Sequence, residues 1–448
     1  MRCGTGRFAA ASPDPTQPRT RLPITGPLTP SQLNNSMSFM DDESIGRAAA
    51  ITGADNWGEV RTRFPQRVDQ MAQGLMVGDR PADAVIADVM SESSLTWSEA
   101  LAALESPTTV TTTSVALQEF LELVATTPPW FDAAIAHSGA RAWWRFGSLQ
   151  ISTLYQSLIY GYQAQGFVRP LAATGRLSEG TWDRVVATGR WIALATAPGM
   201  MKPGAPGWVE TVRIRLVHAM VRHHLRTHAS WDSDRWGVPI NQTYAQLTIT
   251  AGFLVLPLTV AHDLGIRYSE AELEAITHLW RYIGWTMGVE PDRLPANFTE
   301  AGEIRTISRE FRLQPVEDSR ILVKALLDDG YRTSIGLPDP LDDLLNRITK
   351  PLLRPLFSAV SARWVDPEVV SGMGLRTTPL HHVVRLARPI VRSRELVRSL
   401  GLLGTERTVA EREFRLVTRG LGIDGGDLRR FGDRYRHVDE GRMAKVAR

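Results

Sequence analysis

A single cysteine, Cys3, stands among 448 residues, so neither a disulfide framework nor a cysteine-based zinc site is available to this chain. An excess of one charge is also missing: 51 Lys and Arg face 48 Asp and Glu, a net charge of +3. That balance gives no overall polyelectrolyte character. Long alternating apolar–polar runs are absent, and Thr108–Thr113 is the one short stretch that could extend as a strand. There is no G-x-S-x-G elbow, no Walker A loop and no G-x-G-x-x-G after a strand, which removes the sequence basis for serine-hydrolase and nucleotide chemistry. The N-terminal stretch has arginines but no apolar core segment or small-residue cleavage site, and Arg19-Thr20-Arg21 is not a twin-arginine pair. The expectation is a cytoplasmic protein. The most membrane-like stretch, Ala245–Ala261, is marginal in length and carries Gln246, several threonines and Pro257, so it reads as a buried core helix.

What remains is ordinary globular composition, 43% hydrophobic and 22% charged, in a chain long enough to bury a core without covalent staples. Helical periodicity dominates, and the expected fold is all-α with one main domain. Residues 1–44, rich in Pro, Ser, Thr and Asn, are expected to be disordered, residues 45–400 to form the domain, and residues 401–448 a basic helical tail. Helices are predicted over Pro81–Met90, Trp97–Leu104, Val115–Ala125, Trp130–Tyr162, Ser178–Ala195, Trp208–His228, Thr243–Asp263, Glu270–Met287 and Glu411–Arg419, with two or three more in Val316–Leu403. Thr96 with Glu99, and Ser269 with Glu272, have capping-box spacing. From His381 onward sixteen Lys/Arg face nine Asp/Glu. Such a tail suits either a solvated face or an anionic membrane surface. It lacks the aromatic interleaving of a nucleic-acid module. Pro389 is expected to interrupt any amphipathic helix over Arg385–Arg398.

The chemistry-bearing residues gather in Thr211–His228. Residues three and four apart share a helix face, so His218 sits beside Arg215 and Arg222 on an otherwise apolar helix. Burying two guanidiniums needs an anion, and this helix has no Asp or Glu after Glu210. Two readings stay open from the residues. His218 is a core histidine whose arginine neighbours reach solvent. Alternatively, it ligates a haem whose propionates meet Arg215 and Arg222. His224 and His228 have zincin spacing, but Leu225 occupies the place of the general-base glutamate. His137, His262 and His278 read as ordinary helix histidines, and His381-His382 as an exposed pair.

The string Arg215-Leu216-Val217-His218-Ala219-Met220-Val221-Arg222 resembles the R-L-x-H-A-x-V-R signature of the latex clearing protein (rubber oxygenase) and mpaB-type oxygenase superfamily. Supporting segments lie in the same order over about residues 50–300: Gly78-Asp79-Arg80-Pro81-Ala82-Asp83-Ala84, Thr174-Gly175-Arg176-Leu177 with Arg184 and Thr188, Trp236-Gly237-Val238-Pro239-Ile240-Asn241-Gln242, and Leu279–Gly284 with Gly288-Val289. The resemblance implies a globin-like helical core holding one haem b, with His218 as iron ligand, Arg215 and Arg222 in the haem pocket, and Arg184 and Thr188 close to the haem as catalytic candidates. It further implies O2 and a small apolar, isoprenoid or lipid-like substrate. Two departures point away from rubber itself. Where the rubber-cleaving members carry a lysine directly before the threonine, this chain has Ala187, and where they carry a glutamate it reads Gly166-Phe167-Val168-Arg169. The alternatives are a haem protein without oxygenase turnover and a helical membrane- or partner-binding protein without cofactor.

Overall fold

Side chains that cap helices, followed by apolar residues at helical spacing, set the local structure. Thr96 and Glu99 bond reciprocally ahead of Trp97–Ala103, and Ser269 and Glu272 do the same ahead of Glu270–Thr286, so each box satisfies two otherwise orphaned amides. The computed structural model describes residues 42–91, 95–105, 107, 112–147, 149–173, 180–228, 231–330 and 339–420, and among these no β-strand occurs. The helices are α1 (Asp42–Thr52), α2 (Trp57–Arg63), α3 (Pro65–Gly74), α4 (Arg80–Met90), α5 (Trp97–Ala103), α6 (Val115–Ala125) and α7 (Ala133–Trp144). Then come α8 (Leu149–Tyr162), α9 (Gln165–Ala173), α10 (Thr181–Thr196), α11 (Pro206–His228), α12 (Ser233–Trp236) and α13 (Gln242–Leu264). The last group is α14 (Glu270–Thr286), α15 (Phe298–Glu310), α16 (Glu317–Asp329), α17 (Asp339–Ala362), α18 (Pro367–Gly372), a 3-10 turn (Pro379–His382), α19 (Val383–Ser399) and α20 (Glu406–Gly420).

Four differences from the sequence reading have local causes. The single helix expected over Trp130–Tyr162 is two, because Gly147 adopts φ +63° between α7 and α8, a left-handed turn that no helix continues through. Residues Thr248–Val255 inside α13 are π-helical, and the widened turn leaves the Gly252 carbonyl to accept from the Ser157 hydroxyl at 2.8 Å. Among its described residues, Val316–Leu403 holds four α-helices and the 3-10 turn rather than two or three helices. Pro389 does not break α19: it lies exposed, where its missing amide costs little, and the helix runs through it. Residues 108–111 of the possible strand and Thr174-Gly175-Arg176-Leu177 lie outside the described residues.

The main core is aromatic. Gly139 lets α7 lie directly on α14; a Cβ there would stand 2.1 Å from the Ala275 carbonyl oxygen. That approach brings Trp143 against Trp280, 5.3 Å between rings, while Trp280 stacks on Phe253 of the π-helical segment at 6.2 Å. Trp191 of α10 closes the cluster, 5.5 Å from Phe253. A second core joins α4 and α6 to α11 through Ala82, Val85, Ile86, Phe120, Trp208 and Leu216. Each fully buried large side chain removes enough apolar area to contribute about 1.5–3 kcal/mol. α13 is long and apolar enough to cross a membrane, yet 72% of its most apolar window is buried inside the protein, as a core helix requires. Phe414 of α20 packs on Trp144 at 5.2 Å, and Arg394 pairs with Glu413 at 2.8 Å, which ties the last described helix to the rest.

Candidate functional site

α10 and α11 are consecutive, antiparallel and packed together. The Trp191 indole N–H donates to the Thr211 hydroxyl at 3.0 Å and fixes their register. On α10, Arg184, Thr188 and Trp191 are spaced i, i+4, i+7 and share one face. On α11, Thr211, Arg215, His218 and Arg222 do the same. With Trp191 beside Thr211, running back along α10 and forward along α11 brings Thr188 and Arg184 alongside the stretch that carries Arg215 and His218. Arg215, His218 and Arg222 thus share one face of α11, and Arg184 and Thr188 share one face of the helix packed against it. The Thr188 hydroxyl donates to the Arg184 carbonyl at 2.8 Å, and the Arg184 guanidinium reaches Thr181 at 3.3 Å. Tyr162, at the end of α8, lies in the field of Arg184; burial raises its phenol pKa and that positive charge opposes the rise.

Both arginines of α11 have carboxylate partners within the protein. Arg215 is bidentate on Asp79, Nε to Oδ2 at 2.6 Å and an Nη to Oδ1 at 2.9 Å, and it also donates to the Thr286 carbonyl. Arg222 pairs with Asp83 at 2.7 Å through Nε and donates to the Ile240 carbonyl at 3.1 Å. Both carboxylates come from the Gly78–Ala84 segment that opens α4, with Asp79 at its N-cap and Asp83 in its first turn, where the helix dipole favours negative charge. Asp79, Arg215 and Arg222 are all buried. The anions were absent from the helix because they stand 136 and 139 residues earlier in the chain.

Further segments hold this clamp. The Gln242 amide donates to the carbonyls of Gly78 and Gly288 at 3.1 and 2.8 Å and accepts from the Glu290 N–H at 3.0 Å. Gly288 has φ +99°, and a Cβ there would stand 2.3 Å from Asp79 Oδ2 and 2.6 Å from Arg215 Nε. Gly288→Ala is expected to cost about 1–3 kcal/mol from backbone strain alone, with the ion pair pushed apart in addition. A thermal melt reads this as a lowered Tm, and an unchanged Tm would show that the loop relaxes freely.

His218 is placed between the two clamped arginines. Its imidazole is densely surrounded but keeps part of its surface uncovered, as a side chain lining a concavity does. Burial, then the positive charge of Arg222, lowers its pKa from 6.5 to about 4, against a smaller opposing pull from Asp79. At neutral pH it is therefore an uncharged imidazole. Among the described residues nothing hydrogen-bonds it. A neutral imidazole with a free lone pair is the state that ligates a metal. The other histidines differ. His278 accepts from the Asp132 N–H at 2.9 Å and stacks on Phe131, His137 and His262 are exposed, and His381 packs against His382 with its Nδ1 2.6 Å from the Thr378 carbonyl oxygen. The side chain of His228 lies outside the described residues, and among those described no three His, Cys, Asp or Glu gather as a metal cluster.

A largely apolar cavity, with about 60 Å³ of free interior volume, lies one aromatic layer away. Its walls include Gly161, Phe167, Leu247, Gly252, Phe253 and Phe311, and none of the five predicted site residues. Phe253 touches Trp191 of α10, and Phe167 lies 6.2 Å from Tyr162, so the cavity wall packs against the aromatic residues next to α10. The sequence reading missed this cavity, Tyr162 and the π-helical wall. The uniform apolar run of α13 carried no signal for the changed helical pitch. At the departures from the rubber-cleaving pattern, Val168 is fully buried in the main apolar cluster and Arg169 lies 5.5 Å above the Trp236 ring.

Comparison with known proteins agrees with this architecture. The rubber oxygenase of Streptomyces sp. (strain K30) is 25% identical over 279 residues, covering 61% of this chain and 64% of that protein, so the match spans less than two thirds of the relative. A solved structure of latex clearing protein in the closed state superposes with a TM-score of 0.59 at 21% identity, over 76% of this chain and 91% of that one, which establishes the helical fold. Residues 143–394, more than half of the chain, match the family described as "ER-bound oxygenase mpaB/B'/Rubber oxygenase, catalytic domain", and the chain belongs to that family.

Proposed function

We propose that this protein is a b-type haem-dependent oxygenase acting on an apolar, isoprenoid- or lipid-like substrate, with His218 as the protein ligand to the iron. The observation that carries the reading is the His218 imidazole, held uncharged and without a hydrogen-bond partner among the described residues, between two arginines fixed by carboxylates. When bound, the haem supplies the redox-active iron on which O2 chemistry depends. The chain's own residues do the rest. The Asp79–Arg215 and Asp83–Arg222 pairs hold α11 in register, so His218 is oriented before any ligand arrives. Arg184 and Thr188 present the polar part of the neighbouring helix. Ala187 stands where the rubber-cleaving members carry a lysine, and the stretch Gly166-Phe167-Val168-Arg169 has no acid where they carry one, which favours a substrate other than rubber. The apolar cavity behind Phe167 and Phe253 suits a hydrocarbon chain, since burial of apolar surface is what such a wall rewards. A cytoplasmic location and peripheral membrane contact through the basic C-terminal segment are part of the proposal.

The test is O2 uptake by the reduced, haem-loaded protein presented with unsaturated isoprenoids and lipids, with carbonyl products identified by mass spectrometry. Alkene-dependent uptake is the expected result. Haem-loaded protein that consumes no O2 across that panel would instead support a haem protein without turnover, the reading that the missing acid and lysine would then favour.

A further inference from the structure

We propose that the exposed half of α19 is a docking face for an anionic lipid bilayer, with the helix lying in the plane of the headgroups. The inference develops the membrane-contact part of the function proposed above and stands independently of the haem. α19 buries Val384 and Val391 against the protein. On the opposite side it exposes Val383, Leu386 and Ile390 at i, i+3, i+7, then Leu396 and the C-cap Leu400, with Leu386 at 74% and Ile390 at 72% exposure. Isolated exposed leucines are common on soluble proteins, but a stripe running the length of one helix is not. Because Pro389 does not break the helix, Val383, Leu386 and Ile390 stay on one continuous helical face.

The charges choose the occupant. α19 carries five arginines and one acid, Glu395. Arg388, Arg394 and Arg398 bond groups of the protein itself: Asp263, Glu413 and Glu395. Arg385 and Arg392 are seven residues apart, exposed, flank the apolar stripe, and make no ion pair among the described residues. An apolar face edged by unpaired guanidiniums, with no acid on it, matches the boundary between acyl chains and anionic headgroups. An acidic protein partner would meet the arginines but would have to bring its own apolar groove.

Flotation of the full-length protein with vesicles tests the assignment, comparing phosphatidylcholine alone with phosphatidylcholine containing phosphatidylglycerol. Binding is expected only to the anionic vesicles and is expected to weaken with salt. Arg385→Gln and Arg392→Gln should each weaken it about fivefold, and Leu386→Glu with Ile390→Glu should abolish it. Both apolar positions are so exposed that the fold should not change, and an unaltered circular dichroism melt checks this. Val115→Glu, at an exposed apolar position on α6, should leave binding intact. Failure of the wild type to float with anionic vesicles would overturn both the face and the membrane contact. Full binding by the Leu386→Glu/Ile390→Glu protein would overturn the face while leaving membrane contact elsewhere. A dimer in solution that this double variant dissociates, without vesicle binding, would make a second copy the occupant and overturn the lipid assignment.

Discussion

Arg215→Ala is expected to destabilise the protein by about 3–5 kcal/mol, the cost of leaving one partner of a buried ion pair uncompensated. Asp79 is 8% exposed and receives two of Arg215's donors, so truncating the arginine strands a carboxylate that water does not reach. The guanidinium also lies 5.1 Å over the Phe120 ring, so packing between α6 and α11 goes with it. A loss of this size is a large fraction of the 5–15 kcal/mol that typically separates folded from unfolded states. Denaturant unfolding of Arg215→Ala, Asp79→Ala and the double variant closes a mutant cycle. Each single change should be severe and the double change much less than additive, because the second removes a charge already orphaned. Arg222→Ala should be milder electrostatically, since the Asp83 side chain keeps 30% of its surface in solvent. An Arg215→Ala protein within about 0.5 kcal/mol of wild type, the range of ordinary surface substitutions, would mean that the clamp does not hold α11.

Acid is expected to unfold the haem-free protein through His218 before carboxylates take over. In the folded chain its pKa stands near 4, against 6.5 for a free imidazole, with burial as the main cause and the Arg222 charge next. Below pH 6.5 the unfolded chain therefore takes up a proton that the folded chain refuses until about pH 4. The unfolded state binds more protons across that window, so stability falls as pH falls and is regained as pH rises. The whole effect is at most roughly 3 kcal/mol, from 1.36 kcal/mol per pKa unit. His278, also lowered chiefly by burial, adds in the same direction. Unfolding free energies of wild type and His218→Leu between pH 7 and 4.5 separate the two. The slope should shrink in the variant, and equal slopes would show that His218 titrates normally in the folded protein.

Local features were legible in the sequence and distant pairings were not. Thr96 with Glu99 and Ser269 with Glu272 announced their helices because a capping box is complete within four residues. His218 and its arginines were legible because three residues on one helix face need only a helical period to be placed together. Their partners were not: the Gly78–Ala84 segment was visible as a motif, but nothing in its spacing says that Asp79 and Asp83 meet Arg215 and Arg222. What the spacing left out is that the protein itself supplies a carboxylate to each arginine. The break at Gly147 and the continuity of α19 through Pro389 turn on local backbone details, a positive φ at one and an exposed proline at the other, that helical periodicity does not report. The π-helical segment of α13 is apolar on every side, so its sequence period could not distinguish one helical pitch from another.

The central assignment, a haem held by His218, is tested most directly by the absorption spectrum of purified protein supplied with haem b, measured for wild type and His218→Ala side by side. The wild type should show a Soret band with b-type features, and His218→Ala should lose it while circular dichroism reports the same helical content. A His218→Ala protein that keeps the full wild-type spectrum, or a wild type that stays colourless after reconstitution, would contradict the assignment.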